Sequence, residues 1–540
     1  MNVAFDPWIP IVTISGDPKK ISLHDALTDG EKFADLAVRP HERVSLMRLF
    51  LCVAHAALNG PKNYDEWCEV PKRLPEAARK YLEHWKDSFE LFHKEKPWLQ
   101  VAKLNLVPSE KDEELDDDKG WSSLNKLCFT RASGQNTTLF DHESNGGEFT
   151  EYNTAEIALN LLTFQNFFVA GGKASSRMWG ELEIKKPSNP KGGPCAGKSI
   201  LFSFLRGQDL FETVTLNLNT YENLKFLYDD SEDWIGKPLW EMSIKMPTDK
   251  EAIANATQTH IGRLVPQTRM LRINEDQKRV LLGPGFLYPK FQDEKNTFYP
   301  DAFATLVLNK KGERQLLSAR PNSSVWRELH SLTVCKRSET TSCRGPLCLL
   351  NSPDTSPCDI IVSAMITNPK QAAEIVDLIE SVFHIPAKLR SDRGIESYKE
   401  EVKVSEVRAS RLGLAVEEYR KEIDGYWTRR VDMAKQDKWI LKAQLHSIAI
   451  IHYWTTVEKN LPLLINHIEA IGTDAAIPTR EAWRKMLFVT ACEAYCIVCG
   501  QETPRQMRAF AKGWQKLTFK KNETESDTTE TKEENHELAS

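Results

Sequence analysis

Between residues 41 and 59 apolar side chains recur at helical spacing: Val44, Leu46, Met47, Leu49, Phe50, Val53, Ala54 and Leu58. Gly60-Pro61 then ends the run. From there to about residue 390 the texture is different. Short apolar stretches such as SILFSFLRG (199–207), TVTLNLN (213–219) and FATLVLNKKGERQLLSA (303–319) read as strands. They alternate with Gly, Pro, Asn and Ser, without the regular strand–helix repeat of a parallel sheet. Beyond 390 the pattern returns to helical spacing. Residues 396–435, 437–458, 461–471, 479–499 and 504–517 read as helices, broken near Pro462, Gly472, Pro478 and Gly500. Thr479 suits an N-cap and Pro504 a first turn. Short connections between amphipathic helices favour antiparallel neighbours.

The fold class expected is therefore α+β. A large mixed domain with long loops spans 1–390, and an antiparallel bundle of the four-helix type spans 391–518. A disordered acidic tail closes the chain over 519–540. A length of 540 residues fits two or three units. The tail and the segment SEKDEELDDDKG (109–120) are polar and lack aromatic residues, as unfolded segments do.

Charge changes the picture only locally. The net charge of −5 is matched by the last twenty residues, which hold seven acids and two bases. The body is thus near neutral and free to carry basic patches. No run of eighteen apolar residues exists, so no membrane span or membrane partner is expected. The opening MNVAFDPWIPIV lacks the basic start and cleavage site of a signal peptide. A cytoplasmic protein follows, with its 11 cysteines free rather than paired.

Two segments imitate enzyme motifs. Residues 192–199, GGPCAGKS, fit the phosphate-loop pattern with Lys198 and Ser199 in the key positions. That loop must leave a buried strand and enter a helix. Here KKPSNPK precedes it and the strand-like SILFSFLRG follows. Cys492, Cys496 and Cys499 have iron–sulfur spacing but sit on a helical pattern, where cysteine packs as a small apolar residue. Cys335, Cys343, Cys348 and Cys358 lack the CxxC pair of structural zinc. The expectation is no metal, no cofactor and no catalytic residue.

Seven segments carry a stronger signal when taken in order: Phe5-Asp6-Pro7-Trp8-Ile9-Pro10-Ile11; Glu95-Lys96-Pro97-Trp98-Leu99-Gln100; Leu139-Phe140-Asp141-His142; Ala170-Gly171-Gly172-Lys173; Phe204-Leu205-Arg206-Gly207-Gln208-Asp209-Leu210; Gly285-Phe286-Leu287-Tyr288-Pro289-Lys290-Phe291; and Asn368-Pro369-Lys370-Gln371-Ala372. The set resembles the CasA family, the large subunit of the type I-E Cascade complex in CRISPR immunity. The resemblance covers nearly the whole chain. It implies a non-catalytic subunit that works with guide RNA and the other Cascade subunits. Such a subunit reads a short flanking motif, the PAM, in the minor groove of target double-stranded DNA. It helps open the duplex and recruits a helicase-nuclease, while guide pairing reads the rest.

Residue roles follow from the same resemblance. Ala170, Gly171, Gly172 and Lys173 form a glycine loop. Lys290 probes the groove, Gln371 wedges under the first unpaired bases, and Asn368 or Lys370 supports it. Phe140, with Asp141 and His142, holds the subunit against guide RNA and its protein neighbours. Elementary chemistry agrees. Glycine lets backbone approach a groove floor, lysine offers three donors to minor-groove acceptors, and inserted side chains unstack base steps. Each also has an ordinary reading as turn, solvated lysine or core aromatic. Arg505, Arg508, Lys512 and Lys516 share one helical face, suited to phosphates or simply to water. Arg429 and Arg430 beside Trp427 are a weaker pair of that kind. Some family members bind zinc through two CxxC pairs. The corresponding DHESNGGE and INEDQKRV contain no cysteine. The wedge segment NPKQA carries two extra residues compared with the family's NQA. A nucleotide-hydrolysing enzyme using Lys198 and Ser199, and a scaffold of an RNA–protein complex that reads no sequence, are the competing readings.

Overall fold

The structure, a computed structural model, describes residues 1–108, 120–131, 151–167, 175–185, 199–225, 227–228, 234–244, 246–274, 276–286, 288, 301–309, 311–321, 323–333, 345–352, 356–368, 371–423 and 435–518. For 371–374 and 435–444 it describes the backbone alone. The chain divides into two compact units, Met1–Arg390 and Ser391–Ser540.

The first unit opens with strands β1 (Ile9–Thr13) and β2 (Pro18–Ile21), helix α1 (Leu23–Thr28) and strand β3 (Phe33–Leu36). Helices α2 (Pro40–Leu58), α3 (Tyr64–Cys68) and α4 (Val70–His84) follow, then the short strands β4 (Leu104–Asn105) and β5 (Ser122–Ser123). Next come α5 (Thr154–Phe167), β6 (Arg177–Trp179), β7 (Leu182–Ile184), β8 (Phe202–Arg206), α6 (Leu210–Leu216), α7 (Tyr221–Leu224), α8 (Lys250–Gln258) and α9 (His260–Leu264). The unit closes with β9 (Leu271–Ile273), β10 (Arg279–Leu282), β11 (Leu306–Leu308), β12 (Arg314–Leu316), α10 (Leu329–Leu332), β13 (Cys358–Asn368) and β14 (Gln371–Ile385). The strands form small antiparallel sheets in the orders β2-β1-β3, β5-β10-β9, β11-β12, β14-β13-β8 and β4-β6-β7. This is the α+β architecture of many short strands and long connections.

Helix α2 is the hub. Pro40 occupies its first turn, and the Arg39 N–H donates to the Glu42 carboxylate at 2.8 Å. The helix ends where Asn59 turns left-handed (φ 47°). It is buried on nearly all sides, as an element enclosed by its own unit must be. Helix α4 by contrast buries one stripe, Val70, Leu74, Ala78 and Leu82, at four-residue spacing.

Local pattern and structure part company at three places. TVTLNLN reads as a strand, but α6 takes its first four residues, because Asp209 caps the helix by accepting the Glu212 N–H at 2.7 Å. AAEIVDLIESVF has the look of a helix after Gln371, yet it lies in the long edge strand β14, paired along β13. An eleven-residue partner strand outweighs intrinsic preference. Thr479 is not an N-cap.

In the second unit α11 (Asp392–Ile423), α12 (Lys435–Lys459), α13 (Leu461–Ala470), α14 (Ala476–Val498) and α15 (Pro504–Thr518) make the helical bundle. Helix α14 starts three residues before Thr479, whose hydroxyl donates back to the Ala475 carbonyl at 2.7 Å. Pro478 falls in that first turn, where its missing N–H costs nothing. Helices α11 and α12 are antiparallel: Tyr453 Oη donates to Ser405 O at 3.0 Å, while Gly413 faces His446. Helix α14 runs alongside α11 in the same direction. Glu401 there meets Arg480 and Arg484, and Tyr419 Oη reaches Gly500 O just beyond its end. Helix α15 returns along α11, with Gly513 so close that an added Cβ would lie 2.6 Å from Ala415 O.

Candidate nucleic-acid interface

Most of the expected contact residues lie outside the described residues: Phe140, Asp141, His142, Ala170, Gly171, Gly172, Lys173, Lys290, Lys370, Arg429 and Arg430. Gln371 is described by its backbone alone. The structure nevertheless describes the roots from which their segments spring, and these roots are tied together.

The glycine loop leaves α5 at Phe167. The last turn of that helix is fixed by Gln165 and Asn166, both fully buried. Gln165 Nε2 donates to Leu99 O (3.1 Å) and Arg269 O (2.9 Å), and its Oε1 accepts the Arg269 N–H (2.9 Å). Thr268 Oγ1 donates to Gln165 O at 2.6 Å. The same stretch carries the approach to Lys290. Tyr288 Oη donates to Gln267 O at 3.0 Å, and Arg269 Nη1 donates to Gly283 O at 3.0 Å. Gly285 crosses so near that a Cβ would sit 2.2 Å from Thr268 O. Only glycine allows that crossing. We expect Gly285→Ala to cost about 1–3 kcal/mol by overpacking and to displace the Lys290 segment. Thermal unfolding would show the loss, and an unchanged melting point would refute the close approach.

Arg48, in the middle of α2, joins the second root. Its Nε donates to Asn166 Oδ1 (3.1 Å) and Leu264 O (3.0 Å), and Nη2 donates to Arg263 O (2.7 Å). Nη1 donates to Asp301 Oδ2 at 2.9 Å. Asp301 is the residue at which the chain returns from the Lys290 segment. It also accepts from Arg263 Nε (3.2 Å) and the Phe303 N–H (3.1 Å). Burial alone would raise its pKa, but the Arg48 and Arg263 guanidiniums outweigh burial and hold the carboxyl below the usual carboxylate range. Arg48 also lies over the Phe202 ring of β8, 5.6 Å from its centroid.

Strand β8 leads to the third root. It pairs with β13, whose end carries Asn368 opposite Gln371. Pairing there is irregular: Thr367 faces Ile375, so residues 372–374 are extra on the β14 side. Bulges of this kind re-aim side chains at a strand end. The Thr367 N–H donates to Ser199 Oγ at 3.0 Å. Ser199, the last residue of the phosphate-loop look-alike, thus serves the hairpin and enters strand β8, where a phosphate loop would open a helix.

The fourth root is that of Phe140. Its flanks, Arg131 and Tyr152, line a cleft of about 400 Å³ with Val38, Arg39, Glu42 and Glu156. Burial raises the Glu42 pKa, partly offset by the Arg39 N–H. Behind this cleft the buried His41 ring stands edge-on to Phe129 (6.0 Å) and Phe167 (6.2 Å), so one side chain touches the bases of two loops. Burial pushes the His41 pKa down to about 3. Arg48, His41, Gln165, Asn166 and Asp301 carry no motif. Their one signal in the sequence is a polar residue inside an apolar run, as in RVSLMRLF and LLTFQNFF.

In the bundle the basic stripe is partly engaged. Arg508 Nε lies 3.7 Å from Glu422 Oε2, Lys512 also pairs with Glu422, and Arg505 Nε donates to the Glu422 carbonyl at 3.4 Å. Cations there oppose the negative end of α11. Arg505, Arg508 and Lys516 stay exposed. Cys492 and Cys496 lie on α14 with Cys499 at its end, and no cluster of three metal-ligating side chains exists among the described residues. No described helix is long and apolar enough to cross a membrane.

The described residues form a mixed scaffold in which one buried hydrogen-bonded frame joins the end of α5 to Asp301. The family model described as CRISPR-associated protein Cse1 matches residues 2–494, and the chain belongs to that family. A curated relative, CRISPR-associated protein CasA/Cse1 of Thermus thermophilus, is 24% identical over 509 residues, covering 92% of this chain and 91% of its own. The crystal structure of Thermus thermophilus CasA has the same fold, with a TM-score of 0.70 at 20% identity over 96% of this chain and 98% of that one. Cse1 from Acidimicrobium ferrooxidans matches at 0.70, with 19% identity and 96% of each chain covered. A chain of a structure described as a CRISPR RNA-guided surveillance complex matches at 0.69, with 17% identity over 96% of this chain and 99% of that one.

Proposed function

We propose that this protein is the large subunit of a type I-E Cascade, and that it reads the PAM of target double-stranded DNA from the minor groove. It helps open the duplex beside the PAM, holds guide RNA and its protein neighbours through the Phe140 segment, and recruits the helicase-nuclease. Its own work is binding, with bond cleavage left to the recruited enzyme. The observation that carries this reading is the Arg48 frame. One buried guanidinium ties the root of the glycine loop to the return of the Lys290 segment and touches the strand that supports the Gln371 turn. Groove reading needs such loops held in fixed mutual positions, because base-edge contacts are lost with small displacements. Family membership supports the same assignment.

The test is duplex binding by the assembled, guide-loaded complex. We expect Gln371→Ala and Lys290→Ala each to weaken binding to a duplex with its PAM by roughly 5- to 150-fold, from about 1–3 kcal/mol of lost contact. Complex assembly should be unaffected. Mobility shifts on matched and PAM-mutant duplexes would measure it, and equal binding by variants and parent would remove the assignment.

A further inference from the structure

We propose that the β11–β12 hairpin is a second DNA contact, a basic prong that grips the phosphate backbone of the duplex next to the groove-reading loops. The inference rests on the function proposed above and adds a surface to it. The hairpin is a separate two-stranded ribbon, with Leu306 opposite Leu316 and Leu308 opposite Arg314. Two strands alone are marginal in water, so its order comes from its ends. Its tip is closed by hydrogen bonds between the Asn309 N–H and Glu313 O (2.9 Å) and between the Gly312 N–H and Asn309 O (3.0 Å). Gly312 takes φ +76°, a conformation that other side chains resist. Asn309 Oδ1 also accepts the Lys311 and Glu313 N–H groups, and its Nδ2 donates to Glu313 Oε2 at 2.7 Å.

The root places the prong beside the loops. Its first strand follows the Asp301 anchor of the Lys290 segment within five residues. Three residues past the end of its second strand, the Ala319 N–H donates to Ser199 O at 2.7 Å. That is the serine whose hydroxyl holds Thr367 at the base of the Gln371 turn. The prong is therefore pinned at both neighbouring roots.

Its charge is uncompensated. Lys311, Arg314 and Arg320 are exposed. None of them has an ion-pair partner among the described residues, nor any further contact of that kind. Glu313 is the one acid facing the three bases between residues 311 and 320, and its carboxylate is already engaged with Asn309. A stiff ribbon bearing free cations fits a line of phosphates, which it would contact without reading sequence.

The test uses the guide-loaded complex carrying K311A/R314A. The expected result is duplex binding roughly tenfold weaker at low salt, by the same factor for matched and PAM-mutant duplexes. The slope of log affinity against log salt should become shallower by about 2. The charge-conserving K311R/R314K should restore both. An unchanged salt slope overturns the prong. So does normal duplex binding with loss of other subunits from the purified complex, which would make the surface a protein contact. Gln371→Ala is run in parallel. If Gln371→Ala abolishes PAM dependence while K311A/R314A leaves duplex affinity and its salt slope unchanged, the prong fails and the groove reading stands. If neither variant changes duplex binding, the groove reading itself has failed.

Discussion

Replacing Arg48 with methionine is expected to destabilise the first unit by about 3–5 kcal/mol, the usual cost of removing one partner from a buried ion pair. Methionine can fill much of the volume, so the loss would report charge rather than cavity. Among the described residues Asp301 would still be paired with Arg263, in a site where acid and bases are almost wholly buried. Two carbonyls, those of Arg263 and Leu264, and the Asn166 amide oxygen would each lose a donor. Those groups lie at the bases of the glycine loop and the Lys290 segment. DNA recognition should therefore fall further than global stability predicts. Chemical denaturation followed by tryptophan fluorescence gives the first quantity, since Trp8, Trp98 and Trp326 are buried in this unit. A midpoint shift worth less than about 1 kcal/mol would show that the frame is not the anchor described. The double variant R48M/D301L should be less stable than R48M, because the buried Arg263 guanidinium then loses the Asp301 carboxylate as well. Duplex binding should stay impaired, because Asn166 is still unheld.

Acidification is expected to have the other large effect. His41, His55 and His260 are buried in the first unit. Burial depresses all three, His41 to about 3, His55 to about 4, and His260 well below its ordinary range. The His55 and His260 rings meet edge to face at 4.9 Å, and among the described residues the Nε2 atom of each has no hydrogen-bond partner. A histidine that is neutral when folded takes up its proton only on unfolding, so the unfolded chain binds more protons below about pH 6.5. The stabilisation is complete above that pH and is lost as pH falls toward the folded values. Each histidine contributes a slope of about 1.4 kcal/mol per pH unit within its window. Glu42 acts in the opposite sense, because its raised pKa favours the folded state at low pH. Asp301 adds to the loss only below about pH 4. Denaturation measured from pH 7.5 to pH 4.5 should show stability falling steeply below about 6.5. His55→Gln should remove about one proton from the slope. A flat profile between pH 7 and pH 5 would mean that these histidines are not held neutral. His41 gives the effect a functional side: it supports both Phe129 and Phe167, so its protonation would loosen the Phe140 segment and the glycine loop together.

Much of this fold was legible locally. The α2 run and the helices of the bundle follow from apolar spacing and from Pro or Gly at the ends. These are properties of neighbouring residues, and neighbours are enough where one face must be buried. Legibility failed where a distant partner outweighed local preference. The stretch AAEIVDLIESVF carries helical spacing, but β13 offers a full ladder of backbone partners. In TVTLNLN the alternation lost to one capping aspartate. The anchoring frame was invisible for a related reason. Arg48 meets Asn166, Arg263 and Asp301 from 118, 215 and 253 residues away, and no spacing rule reaches that far.

By itself, then, the sequence determined the class of fold, the division into a mixed unit and a helical one, and the ordered segments that resemble CasA. It determined these because periodicity, turn chemistry and short motifs act over a few residues. Tertiary structure alone decided which polar residues inside the apolar runs would meet. It also decided that the loop roots share one buried charge, and that a basic hairpin would be pinned beside them. Burying an ion removes it from water and makes its exact partners matter, and those partners come together only when the chain has folded.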